Sequence, residues 1–280
     1  MFKYKVVDKF ITPEECRRLI SDFESFTPAS SFRWHGGRKL IPNTSDEYKQ
    51  LLEKSKSWKR LTDRINSSHF IKDIMTYLEI DSNKYIFFPF LYKFSRLFGK
   101  FTKRASMPVR NNNVLFLSFW ILYSLSIKAC IFLVSKFLKI FNRNIGELLF
   151  DASSARNGYS REIHRDSDSR VFVFLLYLNS PLDNNCQGGD LLIHKLIEPD
   201  KDPKPQPLEN ECTISEVISP RAGRLVVFEN NRYSFHSVSK MINHSDERFF
   251  CYGSFTLPYG KASNFSESKY KLPTDIKMYL

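Results

Sequence analysis

No Cys-x-x-Cys spacing occurs in the 280 residues, and the five cysteines, at 16, 130, 186, 212 and 251, are odd in number. Neither a disulfide framework nor structural zinc is therefore indicated, and a reducing, cytoplasmic location is expected. The chain opens on Phe2-Lys3-Tyr4-Lys5-Val6-Val7, charged and strand-like rather than signal-like, so no secretory leader is expected. There is no internal repeat, and nothing resembles a helix-turn-helix, a zinc finger or an aromatic RNA-binding motif. Acidic residues are in deficit, 30 against 42 Lys and Arg, for a net charge of +12. That surplus favours an acidic partner such as a membrane surface or an anionic substrate. Because it is dispersed along the chain, nucleic acid is not the expected partner.

What is present is a sparse set of groups suited to hold a metal. His164-Arg165-Asp166 is followed seventy-two residues later by His236 and twelve residues after that by Arg248. Two imidazoles and one carboxylate can hold Fe(II) on one face of its octahedron and leave the other positions open. His-x-Asp alone is a weak signal, so its surroundings must supply the specificity. Gly146 to Ala152 reads as a short strand, and Asn157-Gly158 is a turn signal before Tyr159. Arg170 to Asn179 is β-branched and aromatic on both alternations, which predicts a central strand buried on both faces. Gly188-Gly189 breaks the chain before Asp190 to His194, and further strands are predicted over Gly223 to Glu229 and Arg248 to Thr256. Five or more short strands with turn signals between them favour a sandwich or barrel over a parallel sheet.

In this order and spacing, residues 146 to 257 resemble the double-stranded β-helix of the Fe(II)- and 2-oxoglutarate-dependent dioxygenases, in particular the prolyl 4-hydroxylase-like branch. The matching elements are His164 and Asp166, the basic Arg170, Tyr177-Leu178-Asn179, the Gly188-Gly189 turn, Gly223 to Phe228 leading to His236, and Arg248 in Glu247-Arg248-Phe249. The interval from His236 to Arg248 is slightly longer than is usual in the family, consistent with a longer turn over Met241 to Glu247.

The resemblance implies an α+β fold with a mainly β, jelly-roll catalytic core flanked by N-terminal helices, to which the apolar run discussed below adds a helical insertion. It implies Fe(II) held by His164, Asp166 and His236, and 2-oxoglutarate and O2 as co-substrates, with ascorbate as a candidate reductant. Arg248 would bind the far carboxylate of 2-oxoglutarate, since a guanidinium is a permanently charged fork that matches a carboxylate. Tyr177 would point its phenol at the same molecule. Tyr159, Arg170 and Asn157 are further candidates for the pocket. The implied reaction is hydroxylation of an unactivated C–H bond of an organic substrate, a peptidyl proline or a small molecule, lipid or glycan. A non-catalytic jelly-roll binding module, membrane-associated or not, is the alternative.

Each assignment has a rival. His194 sits beyond the Gly-Gly turn and His244 lies in a polar turn, so His236 is the better distal ligand. Lys240 competes with Arg248, but Arg248 opens an apolar strand. Arg170 could equally be a residue that merely flanks a strand.

Outside the core, Thr12-Pro13-Glu14-Glu15 supplies an N-cap, Pro in the first turn and acidic residues for a helix continuing to Phe23. Apolar residues from Trp58 to Leu78 recur at helical spacing and predict one or two amphipathic helices. Residues 86–141 are harder to place. Val114 to Ser135 is nearly continuous in apolar character and about as long as the roughly 20 residues a membrane span requires. Ser124, Lys128, Ser135 and Lys139 nevertheless form one narrow helical stripe, and basic and aromatic residues interleave before it. A helical insertion packed on the protein is preferred, ahead of a peripheral membrane contact and then a true span. Residues 203, 205 and 207 are alternating prolines in a stiff loop that could border the substrate entrance. The expected organisation is an N-terminal strand and supporting helices over 1–85, the insertion over 86–141, the dioxygenase core over 142–260 and a tail over 261–280.

Overall fold

The computed structural model describes residues 3–26, 33–35, 37–87, 133–134, 136–138, 143–181, 187–198, 202–243, 245, 247–258 and 261–262. Most of the apolar run at 114–135, and the rival His244, lie outside them. In chain order the elements are β1 (Tyr4–Val7), α1 (Pro13–Ser25), β2 (Arg33–His35), β3 (Arg38–Pro42), α2 (Asp46–Lys54), α3 (Lys56–Ile65), α4 (Ser68–Tyr77) and β4 (Tyr85–Phe87). Eight strands follow: β5 (Asn144–Ala155), β6 (Arg161–His164), β7 (Arg170–Tyr177), β8 (Leu191–Leu196), β9 (Cys212–Ile218), β10 (Leu225–Glu229), β11 (His236–Val238) and β12 (Arg248–Thr256).

The strands form two sheets. The larger runs β1-β10-β7-β12-β5-β3-β2, with β4 parallel to the start of β5, and the smaller runs β6-β11-β8-β9. Apart from β4, the pairs are antiparallel. Two facing antiparallel sheets in this order, with helices on one outer face, make the jelly roll that the sequence leads one to expect.

Period-2 alternation sends each strand of the large sheet to two different cores. Toward the small sheet, Ala155, Val173, Leu175, Tyr177, Val226 and Phe228 meet Leu191, Ile193 and Ile218, with Phe250 and partly buried Tyr252 completing this inner core. Toward the helices, Phe150, Phe172, Phe174, Leu176, Phe249 and Phe255 pack against residues of α1 to α4. Aromatic pairs join helix to sheet: Phe23 on Phe249 at 5.9 Å, Tyr48 on Phe150 at 5.6 Å and Phe70 on Phe174 at 5.6 Å between centroids. Edge-on geometry adds to the roughly 1.5–3 kcal/mol that burying one such side chain contributes. β7 is buried at every position, as its uninterrupted apolar sequence predicts.

The helices are closed by local chemistry. Thr12 and Glu15 form a reciprocal capping box at the start of α1, while Ser45, Ser55 and Ser67 each accept from a backbone N–H in the first turns of α2, α3 and α4. The indole of Trp58 donates to the Leu19 carbonyl at 2.9 Å, tying α3 to α1. Among the described residues no helix is long and apolar enough to cross a membrane.

At Gly253 in β12 an added Cβ would stand 2.4 Å from Phe150 Cβ and 2.5 Å from the Phe174 ring. Gly253→Ala is therefore expected to destabilise the fold by about 1–3 kcal/mol through overpacking. Urea denaturation followed by tryptophan fluorescence measures this, and an unchanged midpoint would show that the Phe150–Phe174 gap is not tight.

Candidate metal centre and co-substrate pocket

β6 and β11 pair in the small sheet with His164 directly opposite His236, and the two rings lie 4.4 Å apart. Asp166 follows β6 in a short loop. The ligand-capable atoms of His164, Asp166 and His236 all lie within 4.8 Å of one another, and His236 Nε2 is 3.5 Å from Asp166 Oδ2.

Backbone carbonyls set the tautomers. His164 Nδ1 is 2.8 Å from the Glu162 carbonyl and His236 Nδ1 is 3.0 Å from that of Ser234. A carbonyl only accepts, so each Nδ1 carries the hydrogen and each Nε2 keeps its lone pair for a metal. Burial, then the neighbouring His236, pushes the His164 imidazole down to about 3, and burial lowers His236 as well. Both rings are therefore neutral near pH 7, the state a ligand needs. Burial alone would raise the Asp166 carboxyl. The Arg170 guanidinium, both imidazoles and a hydrogen bond from Tyr252 outweigh it and hold the group well below the usual carboxylate range.

The loop carrying Asp166 is pinned from several sides. Arg165 Nη1 pairs with Asp168 at 2.7 Å, and the Arg165 N–H donates to the Pro205 carbonyl at 2.9 Å, which brings the proline-rich loop against the site. Asn230 Nδ2 donates to the carbonyls of Ser167 and Arg170 at 2.8 and 3.0 Å, and its Oδ1 accepts from Ser234 at 3.1 Å. The segment before β7 is thereby tied to the turn that delivers His236.

β12 brings a second set of groups. Arg248 is buried, its guanidinium donates to the Gly189 carbonyl, and it lies 5.6 Å from the Tyr159 ring, 5.9 Å from Tyr177 and 5.0 Å from Phe250. The Gly188-Gly189 break makes this approach possible. Both residues take positive φ, and a Cβ on Gly188 would stand 1.9 Å from the Lys240 carbonyl oxygen. Burial pushes the Tyr177 phenol up to about 12, so it remains a donor.

Four buried polar atoms of these groups have no hydrogen-bond partner among the described residues: Asp166 Oδ2, His236 Nε2, Tyr177 Oη and Arg248 Nε. Folded proteins seldom leave such atoms unmet. The first two suit a cation and the last two an anion, so this donor set fits Fe(II) and a carboxylate-bearing co-substrate.

Residues 151–255 match the model of a protein family described as the 2OG-Fe(II) oxygenase superfamily. The chain carries a domain of that superfamily. The oxygenase domain makes it an enzyme of the dioxygenase class, whose family implies Fe(II), 2-oxoglutarate and O2. No curated protein matches the sequence. Among solved structures, the chain is similar to prolyl 4-hydroxylases from Phytophthora capsici, with 11% identity and a TM-score of 0.51, over 96% of this chain and 63% of that one. It is also similar to a Pseudomonas putida prolyl-4-hydroxylase, with 15% identity and a TM-score of 0.39, over 92% and 94% of the two chains. A prolyl hydroxylase from Trichoplax adhaerens in complex with a hypoxia inducible factor peptide fragment matches with 13% identity and a TM-score of 0.40, over 90% and 83%. At 11% identity the likeness to the Phytophthora capsici structure is one of fold.

The structure brings His164, Asp166, His236 and Arg170 into one cluster and Arg248, Tyr177 and Tyr159 into another. Asn157 is exposed in the turn after β5. His194 is buried and bonded through Nε2 to Ser237 at 2.7 Å, which removes it as a rival to His236. Tyr252, Asn230 and Arg38 escape the sequence reading. Tyr252 alone had a signal, its place four residues after Arg248 and so on the same face of the strand.

The metal-free protein should lose stability as pH falls. His164, His236 and His194 are all depressed below the ordinary histidine value of 6.5, chiefly by burial. Below that value the unfolded chain binds protons that the folded protein refuses, so stability present above pH 6.5 is lost as the pH drops. Thermal melts of metal-free protein between pH 7 and 5.5 should show a falling midpoint, with a shallower fall in His164→Gln. A flat profile would contradict the depressed values.

Proposed function

We propose that the chain is an Fe(II)- and 2-oxoglutarate-dependent hydroxylase that oxidises an unactivated C–H bond of an organic substrate and releases succinate and CO2. The observation that carries this reading is a paired shortage of partners among the described residues: two ligand atoms, Asp166 Oδ2 and His236 Nε2, and two groups able to donate to an anion, Tyr177 Oη and Arg248 Nε. In this reading His164 Nε2, His236 Nε2 and Asp166 Oδ2 hold the iron. Arg248 and Tyr177 take the far carboxylate of 2-oxoglutarate, which could not be buried without a cationic partner. Arg170 holds the other oxygen of Asp166, and Tyr159 walls the guanidinium. The bound iron supplies the site for O2 and for oxidative decarboxylation of 2-oxoglutarate. The protein supplies position and exclusion of water. A prolyl residue of a peptide is the first substrate to try, on the named activity of the Phytophthora capsici enzymes, followed by small-molecule, lipid and glycan substrates.

Anaerobic protein loaded with Fe(II) and 2-oxoglutarate should show a weak visible charge-transfer band and, once oxygen is admitted with substrate, release succinate. His164→Ala and Asp166→Ala should abolish both signals. Arg248→Ala should chiefly raise the 2-oxoglutarate Kd, by at least tenfold for a buried charge-assisted contact. Unchanged 2-oxoglutarate affinity in Arg248→Ala would remove the clamp from this reading, and no band in the parent protein would remove the iron site.

For residues 86–141 we propose a helical insertion packed on the protein, with a peripheral membrane contact as the second reading, set off from an N-terminal unit over 1–85, the catalytic unit over 142–260 and a tail over 261–280. Two features of the fold support it over a single span. β4 ends at Phe87 and runs parallel beside the start of β5, with Tyr85 opposite Asn144, so the chain leaves and re-enters the large sheet side by side. The helices before the segment and the strands after it also share one core. One crossing would put them on opposite sides of a bilayer. Carbonate extraction of a membrane fraction should release the protein, and retention in the pellet would overturn both readings.

A further inference from the structure

We propose that Tyr252 is a positioning residue that decides which oxygen of Asp166 faces the metal; the inference rests on the metal-site reading given above. Its hydroxyl lies 2.7 Å from Asp166 Oδ1. Arg170 Nη1 lies 2.8 Å from the same oxygen and also donates to the Tyr252 hydroxyl. A guanidinium has no lone pair to offer. The phenol oxygen therefore receives the Arg170 hydrogen, and its own hydrogen goes to the carboxylate. Carboxylate, guanidinium and phenol close a three-membered ring of charge-assisted hydrogen bonds.

The two oxygens of Asp166 are in consequence unequal. Oδ1 is held by two donors, while Oδ2 has no hydrogen-bond partner among the described residues. A carboxylate with both oxygens free can chelate a cation through the pair and so occupy two coordination positions. With Oδ1 held, Asp166 offers one, and the position saved is available for a co-substrate atom.

The ring of Tyr252 is itself fixed. Arg38 lies 5.3 Å and Arg170 5.4 Å from its centroid. Arg38 comes from β3 and is paired with Asp151, the residue of β5 that stands opposite Tyr252 in register. A residue outside the 151–255 family match thus steadies the phenol that steadies the ligand.

Tyr252→Phe removes the hydroxyl and keeps the ring with its two cationic neighbours. Co(II) serves as the probe, added to the metal-free full chain. The variant should bind Co(II) about tenfold more weakly, the lower end of what loss of a ligand's hydrogen-bond partner costs. At saturating Co(II) its visible spectrum should shift, reporting a changed carboxylate, and 2-oxoglutarate should bind the Co(II) protein less tightly than it binds the parent. A purely architectural tyrosine would lower the melting temperature of the metal-free protein and leave Co(II) affinity and spectrum untouched. Co(II) affinity within twofold of the parent, with an unchanged spectrum, overturns the proposal. If the parent itself fails to bind Co(II), the metal-site reading falls and this inference with it. If the parent binds and only the Tyr252→Phe difference is missing, the metal site stands and the positioning role does not.

Discussion

β12 lies between two cores, and its period-2 alternation is the constraint on which the rest of the molecule depends. Arg248, Phe250 and Tyr252 point into the roll, whereas Phe249, Cys251, Gly253 and Phe255 point toward the helices. A slip of one residue would exchange the two sets, setting Arg248 and Tyr252 against the helices and removing both from the interior of the roll. Registry with β5 and β7 prevents this by building three rows across the inner face. Arg38, Ala155 and Arg248 make the first; Leu40, Ser153, Phe250 and Tyr177 the second; and Pro42, Asp151, Tyr252 and Leu175 the third. Each row joins a group from the N-terminal segment to one that faces the site.

So much buried charge is tolerable only because it is internally answered. Asp166 is matched by Arg170, Asp151 by Arg38, and Asp168 by Arg165 and Lys261. Removing one partner of such a pair would leave an uncompensated charge in a poorly solvating interior, which is why these pairs act as locks on geometry more than as sources of net stability. Arg248 differs. Among the described residues its contacts are the Gly189 carbonyl and the faces of Tyr159, Tyr177 and Phe250, with Asp190 acting on it from further off and not as an ion pair. An aromatic cradle stabilises a guanidinium without neutralising it. A buried cation with no ion-pair partner among the described residues is thus the one proposed to meet an anionic co-substrate.

The parts legible in the sequence are those that act through their own side chains at characteristic spacing. His164 and Asp166 are near neighbours in the chain, His236 follows a strand with a strong pattern, and Arg248 opens another. The uninterrupted apolar run of β7 announced a strand buried on both faces, and Thr12-Pro13 announced α1. β5 is longer than its readable portion, Asn144–Ala155 rather than 146–152, because its ends are held by β4 and β3, neither of which has enough sequence to betray itself. The β2–β3 hairpin and α2 were missed for the same reason. Asn230 looked like one polar residue in a polar turn; its importance comes from two carbonyls 63 and 60 residues upstream along the chain. The carbonyls of Glu162 and Ser234, which set the histidine tautomers, leave no mark in the sequence, since every residue has one.

This division explains why a reaction class can be read and a substrate cannot. The atoms assigned to iron and 2-oxoglutarate lie on β6, β7, β11 and β12 and the turns between them, all inside residues 151–255. Their chemistry is generic, since any member of the superfamily must meet the same cation and the same dianion. The residues that pack beside Phe250 and Tyr252 are different in origin. Arg38 rises from β3, outside that segment, pairs with Asp151 and Ser153, and lies over both Phe250 and Tyr252. A guanidinium already answered by a carboxylate presents donors and acceptors together rather than a bare charge, so it can meet a neutral polar group as readily as an anion. The net charge of +12 therefore says little about what enters the pocket, because the arginines nearest the proposed iron site are mostly paired within the protein.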